Sequence, residues 1–428
     1  VKRTATRLGV ALAVASLLMT GCGRDDDNGS GAAPGVTDEP CPEAVDKEKG
    51  CIYLGVLSDF TGVFKGVGVP FSEGQKAFWK KVNEDGGIGD YEVDVTKYAK
   101  DSAYDPDKHA QLFGEIQDDI LAVAQSLGTA HTNAILGDAE KEDIVIAPAS
   151  LASSWQLVDN VLEVGSNYCG DAMNSVDYAV DELGAKGVAV AHFPGDYGDD
   201  AAVGAKVAAE ARGIDFTDVP SEPGAADKQA SVVAGILKAD PDVVLVATGP
   251  IEMASIVGGL AQKGFTGKII GSIPTWNIAL LGEKKLVPAL QALYLQATSF
   301  QTWEADTPGY EAMRAAAGET PPSDWYALGY GSGYVMQAVI EKAIEDDDLT
   351  REGMLNAAKS LDGVESEGML PEGAANYAGD PNDAVIRETA FNAVDPTTAS
   401  GVKQEVAPFV GPTAKDHDFS ESACYEQY

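Results

Sequence analysis

The stretch LKADPDVVLVATGPIEMASIVGGLAQKGFTGKIIGS, from Leu237 to Ser272, decides the fold. DVVLVAT is a short continuous apolar run and reads as a buried strand. IEMASIVGGLAQKG reads as a helix closed by glycine, and GKIIGS as the next strand. A strand, a helix and another strand in so little chain indicate a parallel crossover. Upstream the alternation continues through GDAMNSVDYAVDELG, GVAVAHF, DDAAVGAKVAAEARG, IDFTDV and DKQASVVAGILKAD. An earlier series begins at residue 51 with the strand CIYLGVLS. In FSEGQKAFWKKVNEDGG, Phe71, Gln75, Phe78 and Val82 share a helical stripe. YEVDVTKYA, PDKHAQLFGEI, ILAVAQ, AHTNAIL and DIVIAPAS then alternate strand and helix. Two such series predict an α/β protein of two Rossmann-like lobes, each a parallel sheet covered by helices. Beyond LYLQATS the chain reads as helices, TPGYEAMRAAAG, SDWYALGYGSGYVMQAVIEKAIE and TREGMLNAAKSL. From Gly363 a tail of short strands and loops is expected.

The first residues carry Lys2, Arg3 and Arg7, and an apolar run follows from Leu8 to Met19. That run is shorter than the ~20 residues a membrane span needs. It has the proportions of a signal-peptide core. Leu18-Met19-Thr20-Gly21-Cys22 matches a lipoprotein processing site apart from Met19, where leucine is usual. The expectation is a signal over 1–21, a lipid on Cys22 and a disordered tether over 22–50, rich in Asp, Gly, Ser and Pro. An ordinary cleaved signal with an incidental cysteine is the alternative. The chain has 67 acidic residues against 30 Lys and Arg, a net charge of −37. This excess excludes nucleic acid and anionic head groups as partners.

With Cys22 assigned to lipid, Cys41, Cys51, Cys169 and Cys424 remain, an even set for an exported protein. Cys41 and Cys51 flank a short loop and are expected to pair, leaving Cys169 with Cys424 to pin the tail. No CxxC occurs, and His109, His131, His192 and His417 are scattered, so neither metal nor cofactor is expected. GYGSGY, from Gly329 to Tyr334, is neither GxSxG nor GxGxxG and sits in a helical pattern, where close helix packing explains it better. GVFKGVG, from Gly62 to Gly68, reads as a rim loop. Asp101 with Asp105, and the run Asp346 to Asp348, fit no calcium loop. A small polar segment does recur after each strand: LSDFTG, AQSLGTAHT, APASLASSW, HFPGDYGDD, VATGPIEM and GSIPTWN. In open parallel sheets these carboxyl ends are where ligands sit.

IYLGVLSDFTGVF, AFWKKVNEDGGIG, DDILAVAQSLGTAHT, DIVIAPAS, LGAKGVAVAHFPGDYGDD, the stretch quoted first and SDWYALGYGSGYVMQAVIEKA occur in an order and spacing that resemble a known family. It is that of the extracytoplasmic binding proteins of ABC importers for branched-chain amino acids and related solutes, the type I periplasmic-binding fold. The resemblance covers about residues 52–365. It implies lobes joined by three hinge crossovers that close over a solute and then dock on permease and ATPase subunits. Lobe 1 is expected to comprise 51–168 with about 300–362, lobe 2 169–299 with about 363–410, and 411–428 a C-terminal tail. Thr129 matches the position that gives a hydroxyl and amides to a ligand carboxylate. Ala149, Ser150 and Leu151 match the next contact loop, with Leu151 in place of the usual Thr. Tyr197 matches the aromatic that closes from the second lobe. Members that bind α-amino acids carry an acid in the loop that here reads Ser272-Ile273-Pro274-Thr275-Trp276, and an aromatic where Gly249 stands. The departure turns the expectation from a standard branched-chain amino acid toward an amide, a carboxylate, an aromatic acid or a more apolar solute. Trp276 and Phe60 are the stacking surfaces it would use.

The leading expectation is a monomeric, lipid-anchored solute-binding component of an ABC importer, without catalytic residues. A sensor of the same fold coupled to a membrane signalling protein is the alternative, and a surface hydrolase a third.

Overall fold

A computed structural model describes residues 33–195, 197–224 and 226–427. The signal segment and Cys22 lie outside these residues. The first sheet is built from β1 (Val36–Thr37), β2 (Gly50–Ser58), β3 (Tyr91–Asp101), β4 (Ala122–Ser126) and β5 (Ile146–Pro148). β3, β2, β4 and β5 lie side by side and parallel, and β1 adds antiparallel to the start of β2. α1 (Lys65–Glu84), α2 (Pro106–Ile116) and α3 (Thr129–Lys141) connect them. β4 and β5 are buried throughout, as apolar runs covered on both faces must be.

The chain then passes to α4 (Tyr168–Asp181) and a second sheet. Its parallel part is β6 (Gly187–His192), β7 (Asp215–Pro220), β8 (Val243–Ala247), β9 (Lys268–Gly271) and β10 (Tyr294–Thr298). The connections are α5 (Tyr197–Arg212), α6 (Gln229–Ala239), α7 (Pro250–Gln262) and α8 (Val287–Leu293). After β10 the chain returns to the first sheet's side as α9 (Pro308–Ala317), α10 (Asp324–Glu345) and α11 (Arg351–Ser360), with α9 and α10 both packed on α1. A third crossing, through α12 (Pro381–Ala384), delivers β11 (Thr389–Val394) and β12 (Val402–Phe409) to the edge of the second sheet. Both are antiparallel, so the second sheet is mixed rather than wholly parallel. α13 (Pro412–Asp416) closes the tail against α4.

The glycines of α10 serve packing. A Cβ on Gly329 would stand 2.1 Å from the Phe71 carbonyl oxygen, and one on Gly74 2.1 Å from that of Tyr326. The axes of α1 and α10 approach this closely only because both positions are bare. Between them, Gln75 donates to Ser332 Oγ at 2.8 Å and accepts from Trp79 Nε1 at 3.0 Å, which satisfies a buried polar group.

Two expectations change. Residues 33–50 are not a tether: β1 pairs with β2, Cys41 bonds Cys51, and the Glu92 carboxylate accepts the Val45 and Asp46 N–H groups. GVFKGVG is only partly a loop, because α1 begins at Lys65. The Asp59 carboxylate accepts from the Thr61, Gly62 and Phe64 N–H groups and so organises the approach to the helix. Cys169 bonds Cys424, which fastens the tail to α4 as expected.

Candidate functional site

The carboxyl ends of the two sheets face each other across a narrow, nearly closed space. From the first side come Phe64, Val67, Tyr104, Leu127, Gly128, Thr129, Ala149 and Ser150, with Trp325 at the start of α10. From the second come Tyr168, Tyr197 and Pro274. No charged side chain stands among these described residues. The sides already touch, since the Phe64 ring lies 6.4 Å from Phe193 and 6.5 Å from Tyr197, edge to face in both cases.

Thr129 opens α3, whose N-terminus presents partial positive charge to the cleft. Its hydroxyl is buried and has no hydrogen-bond partner among the described residues, although Thr129 is only 3% exposed. Gly128 precedes it at φ +105, where a Cβ would stand 2.4 Å from His131 Nδ1. The floor beneath is a neutral polar chain. His109 Nε2 meets Ser126 Oγ at 3.0 Å, and Ser126 Oγ meets Thr132 Oγ1 at 2.8 Å. Burial, aided by His131, pushes the His109 pKa down to about 3, so this imidazole is neutral at physiological pH. Beside it Ser72 donates to Gln125 Oε1 and Gln125 Nε2 donates to Ser58 Oγ, both at 2.8 Å.

The second side rests on buried acids. Asp200 accepts from the Ser153 N–H at 2.7 Å, from Ser153 Oγ at 2.6 Å and from the Tyr425 N–H at 3.1 Å. Burial still raises its pKa to about 6. Asp171 accepts from Thr389 Oγ1 at 2.6 Å, and burial raises it to about 7. Tyr197 is held by its hydroxyl, which donates to the Thr248 carbonyl at 2.6 Å, and its ring lies 4.8 Å from that of Tyr168.

Of the residues singled out from sequence, Thr129, Ala149, Ser150 and Tyr197 meet in this cleft. Four do not line it. Trp276 is 2% exposed and stacks on Tyr294 at 5.9 Å, while its indole donates to the Ser400 carbonyl at 3.2 Å. It is a core residue of the second sheet, and Pro274 is what its loop sends to the cleft. Gly249 caps α7. Leu151 is buried, with its carbonyl accepting the Tyr168 N–H at 2.9 Å. Phe60 lies half-buried in the loop before α1, and Phe64 takes the place proposed for it. Phe64 and Val67 were hidden by reading their segment as a loop. Tyr104 lies in a left-handed turn at φ +56, which periodicity does not reveal. Trp325, next to the Ser323 cap, was visible as an aromatic at a helix start.

The Asp101 carboxylate accepts from the Phe60 and Ala103 N–H groups and the Thr61 hydroxyl. Asp105 caps α2. Among the described residues Cys169, His417 and Cys424 are grouped at metal-ligand distance, but both sulfurs are spent in the disulfide. No helix among the described residues is long and apolar enough to cross a membrane.

Two helix-covered sheets joined by three crossings, with their strand ends turned on a shared cleft, define a solute-binding protein of the two-lobed type. The chain belongs to the periplasmic binding protein family, whose sequence profile matches residues 51–398. It is 25% identical over 304 residues to Leu/Ile/Val-binding protein homolog 3 of Brucella melitensis, covering 69% of this chain and 80% of that one. A fatty acid ABC transporter substrate-binding protein from Thermomonospora curvata superposes with a TM-score of 0.82 at 26% identity, over 90% of this chain and 96% of that one. A branched chain amino acid ABC transporter protein from Thermus thermophilus with bound valine gives 0.72 at 17% identity, over 86% and 98%.

Proposed function

We propose that this protein is the solute-binding component of an ABC importer and that its solute is a carboxylic acid with an apolar body. The observation that carries the reading is the unpartnered Thr129 hydroxyl at the N-terminus of α3, in a cleft lined, apart from Ser150, by aromatic and aliphatic groups. A carboxylate there gains the helix dipole and a hydroxyl donor. Among the described residues the lining has no acid to hold an α-amino group, so a zwitterionic amino acid would bury an uncompensated ammonium there, which is costly. The likeness to the Thermomonospora fatty acid protein supports the same direction. The halves around the two sheets act as lobes, and a solute touching both stabilises their closed arrangement before a permease and its ATPase are engaged. The mature protein is held at the outer face of the membrane through lipid on Cys22 and acts as a monomer.

The test is calorimetric titration and thermal unfolding with octanoate and with leucine. Octanoate at a hundredfold over its Kd adds about 2.7 kcal/mol of stability. Thr129→Val weakens it about tenfold or more, the scale of a hydrogen bond to a charged group. Tighter binding of leucine than of octanoate sinks the reading.

A further inference from the structure

His192 ends β6 and is fully buried, with a carboxylate near each ring nitrogen. Nε2 lies 2.8 Å from Asp218 Oδ1 on β7, and Nδ1 lies 3.3 Å from Asp199 Oδ1 in the first turn of α5. An ionised carboxylate only accepts, so Nε2 carries the proton of the shorter contact. A neutral ring therefore turns a bare Nδ1 toward Asp199 Oδ1. That oxygen is buried and has no aligned hydrogen bond among the described residues. Two facing lone pairs repel, whereas a proton on Nδ1 turns the contact into an attraction. Burial opposes the charged ring, yet the two acids outweigh it and the His192 pKa is raised. Of the neighbouring elements, β8 carries no charge, Asp200 of α5 is turned to Ser153, and Glu222 beyond β7 pairs with Lys228.

Asp199 is where that proton is felt. Its Oδ2 accepts the Gly195 N–H at 2.7 Å and so braces the turn between β6 and α5. Tyr197, two residues before it, opens α5 and lines the cleft. We infer that protonated His192 is a positioning residue for the cleft, holding Asp199 and the turn that presents Tyr197, so that solute is bound more tightly at low pH than at high pH. This names a regulation of the cleft and rests on reading that cleft as the solute site. When the Nδ1 proton leaves, Asp199 is repelled, the turn loosens, and the second wall closes less firmly. Asp218 keeps its bond to Nε2 in both states, so β7 is not disturbed. By linkage, bound solute in turn favours the protonated ring.

The experiment follows octanoate affinity by calorimetry from about pH 6 to about pH 9, and the His192 ring by proton NMR over the same range. Wild-type affinity should fall about fivefold, with its midpoint where His192 titrates, above 6.5. Asp199→Asn keeps an acceptor for Gly195 and offers an amide N–H to the bare Nδ1, so its affinity should stay within roughly twofold. Circular dichroism checks the fold, and His192→Gln, which removes the titration outright, decides if Asp199→Asn does not fold. A wild type without the step, a His192 that titrates below 6.5, or an equal step in the variant overturns the inference and leaves the cleft reading in place. If octanoate fails to bind and leucine binds, the carboxylate reading falls, and the same comparison run with leucine decides this one by itself.

Discussion

Beneath the Thr129 loop of the first wall lies a chain of neutral groups, while α4 and α5 of the second wall rest on buried acids. Ser58, Gln125 and Ser72 on one hand, and His109, Ser126 and Thr132 on the other, exchange hydrogen bonds under the Thr129 loop with no carboxylate among them. Across the junction, Asp171 and Asp200 support α4 and α5 with pKa values raised to about 7 and about 6. Both walls are nevertheless braced by the same device, a helix pair brought close by glycine. On the first side Gly329 faces the Phe71 carbonyl. On the second a Cβ on Gly204 would stand 2.2 Å from the Cys169 carbonyl oxygen. The backing is alike and the electrostatics are not, which separates what holds a wall from what lets it respond to its surroundings.

The largest effect should come from breaking the shared device. Gly329→Ala or Gly204→Ala places a methyl group against backbone, which cannot yield as a side chain tip would. Overpacking of this kind costs about 3 kcal/mol, read as a fall in the urea midpoint. If Gly204→Ala is silent while Gly329→Ala is severe, the two walls are not braced alike. The Cys169–Cys424 bond would then be the element holding the second.

The next test sharpens the electrostatic difference. The folded pKa of Asp171 lies above its ordinary value, so the folded state binds the extra proton. Its stabilisation is full below about pH 4 and is lost as pH rises toward 7, then stays constant. His109 has the opposite sign: its folded pKa is lowered to about 3, so stability rises with pH up to about 6.5. Asp171→Asn keeps an acceptor for Thr389 and removes the titration. Between pH 5 and pH 8 the variant should lose less stability than the wild type, by on the order of 2 kcal/mol at one pKa unit per ~1.4 kcal/mol. Asp324, at the start of α10 and also raised to about 7, leaves a residual slope in both. Identical pH profiles by denaturant titration would place the response elsewhere.

How far the sequence spoke follows the same division. Buried strands and amphipathic helices announce themselves through apolar runs and spacing, so PDKHAQLFGEI is the observed α2 residue for residue. The first wall was largely legible because Thr129, Ala149 and Ser150 follow directly on strands, where the chain must turn toward the cleft. Trp276 also follows a strand, yet its loop folds back and the indole finds Tyr294 and the Ser400 carbonyl. Strand order says which end a loop occupies and nothing about which of its side chains turns inward. The inner acids were illegible for a related reason. Asp171 is one carboxylate among 67 acidic residues until Thr389, more than two hundred positions away, is brought against it.

The smallest expected effect concerns the junction where the two walls meet. Pro70 lies inside α1 and has no N–H, so the Gly66 carbonyl loses its helical partner. Asn277, in the loop after β9, donates its side-chain amide to that carbonyl at 2.7 Å, while its own Oδ1 accepts the Ala279 N–H at 2.8 Å. The proline thus leaves an acceptor on one wall that a side chain of the other wall fills. Trp325 adds a second bond across the same edge, its indole donating to the Trp276 carbonyl at 3.1 Å. If closure is a change in how the walls meet, Asn277→Ala should cost the closed arrangement about 1 kcal/mol. Solute affinity should fall roughly fivefold, through faster dissociation, with the unfolding midpoint of the solute-free protein unchanged within error. Pro70→Ala restores an N–H that competes for the same carbonyl and should reproduce part of that loss. A drop in stability without any change in dissociation rate would make Asn277 an ordinary packing residue and remove this contact from the closing surface.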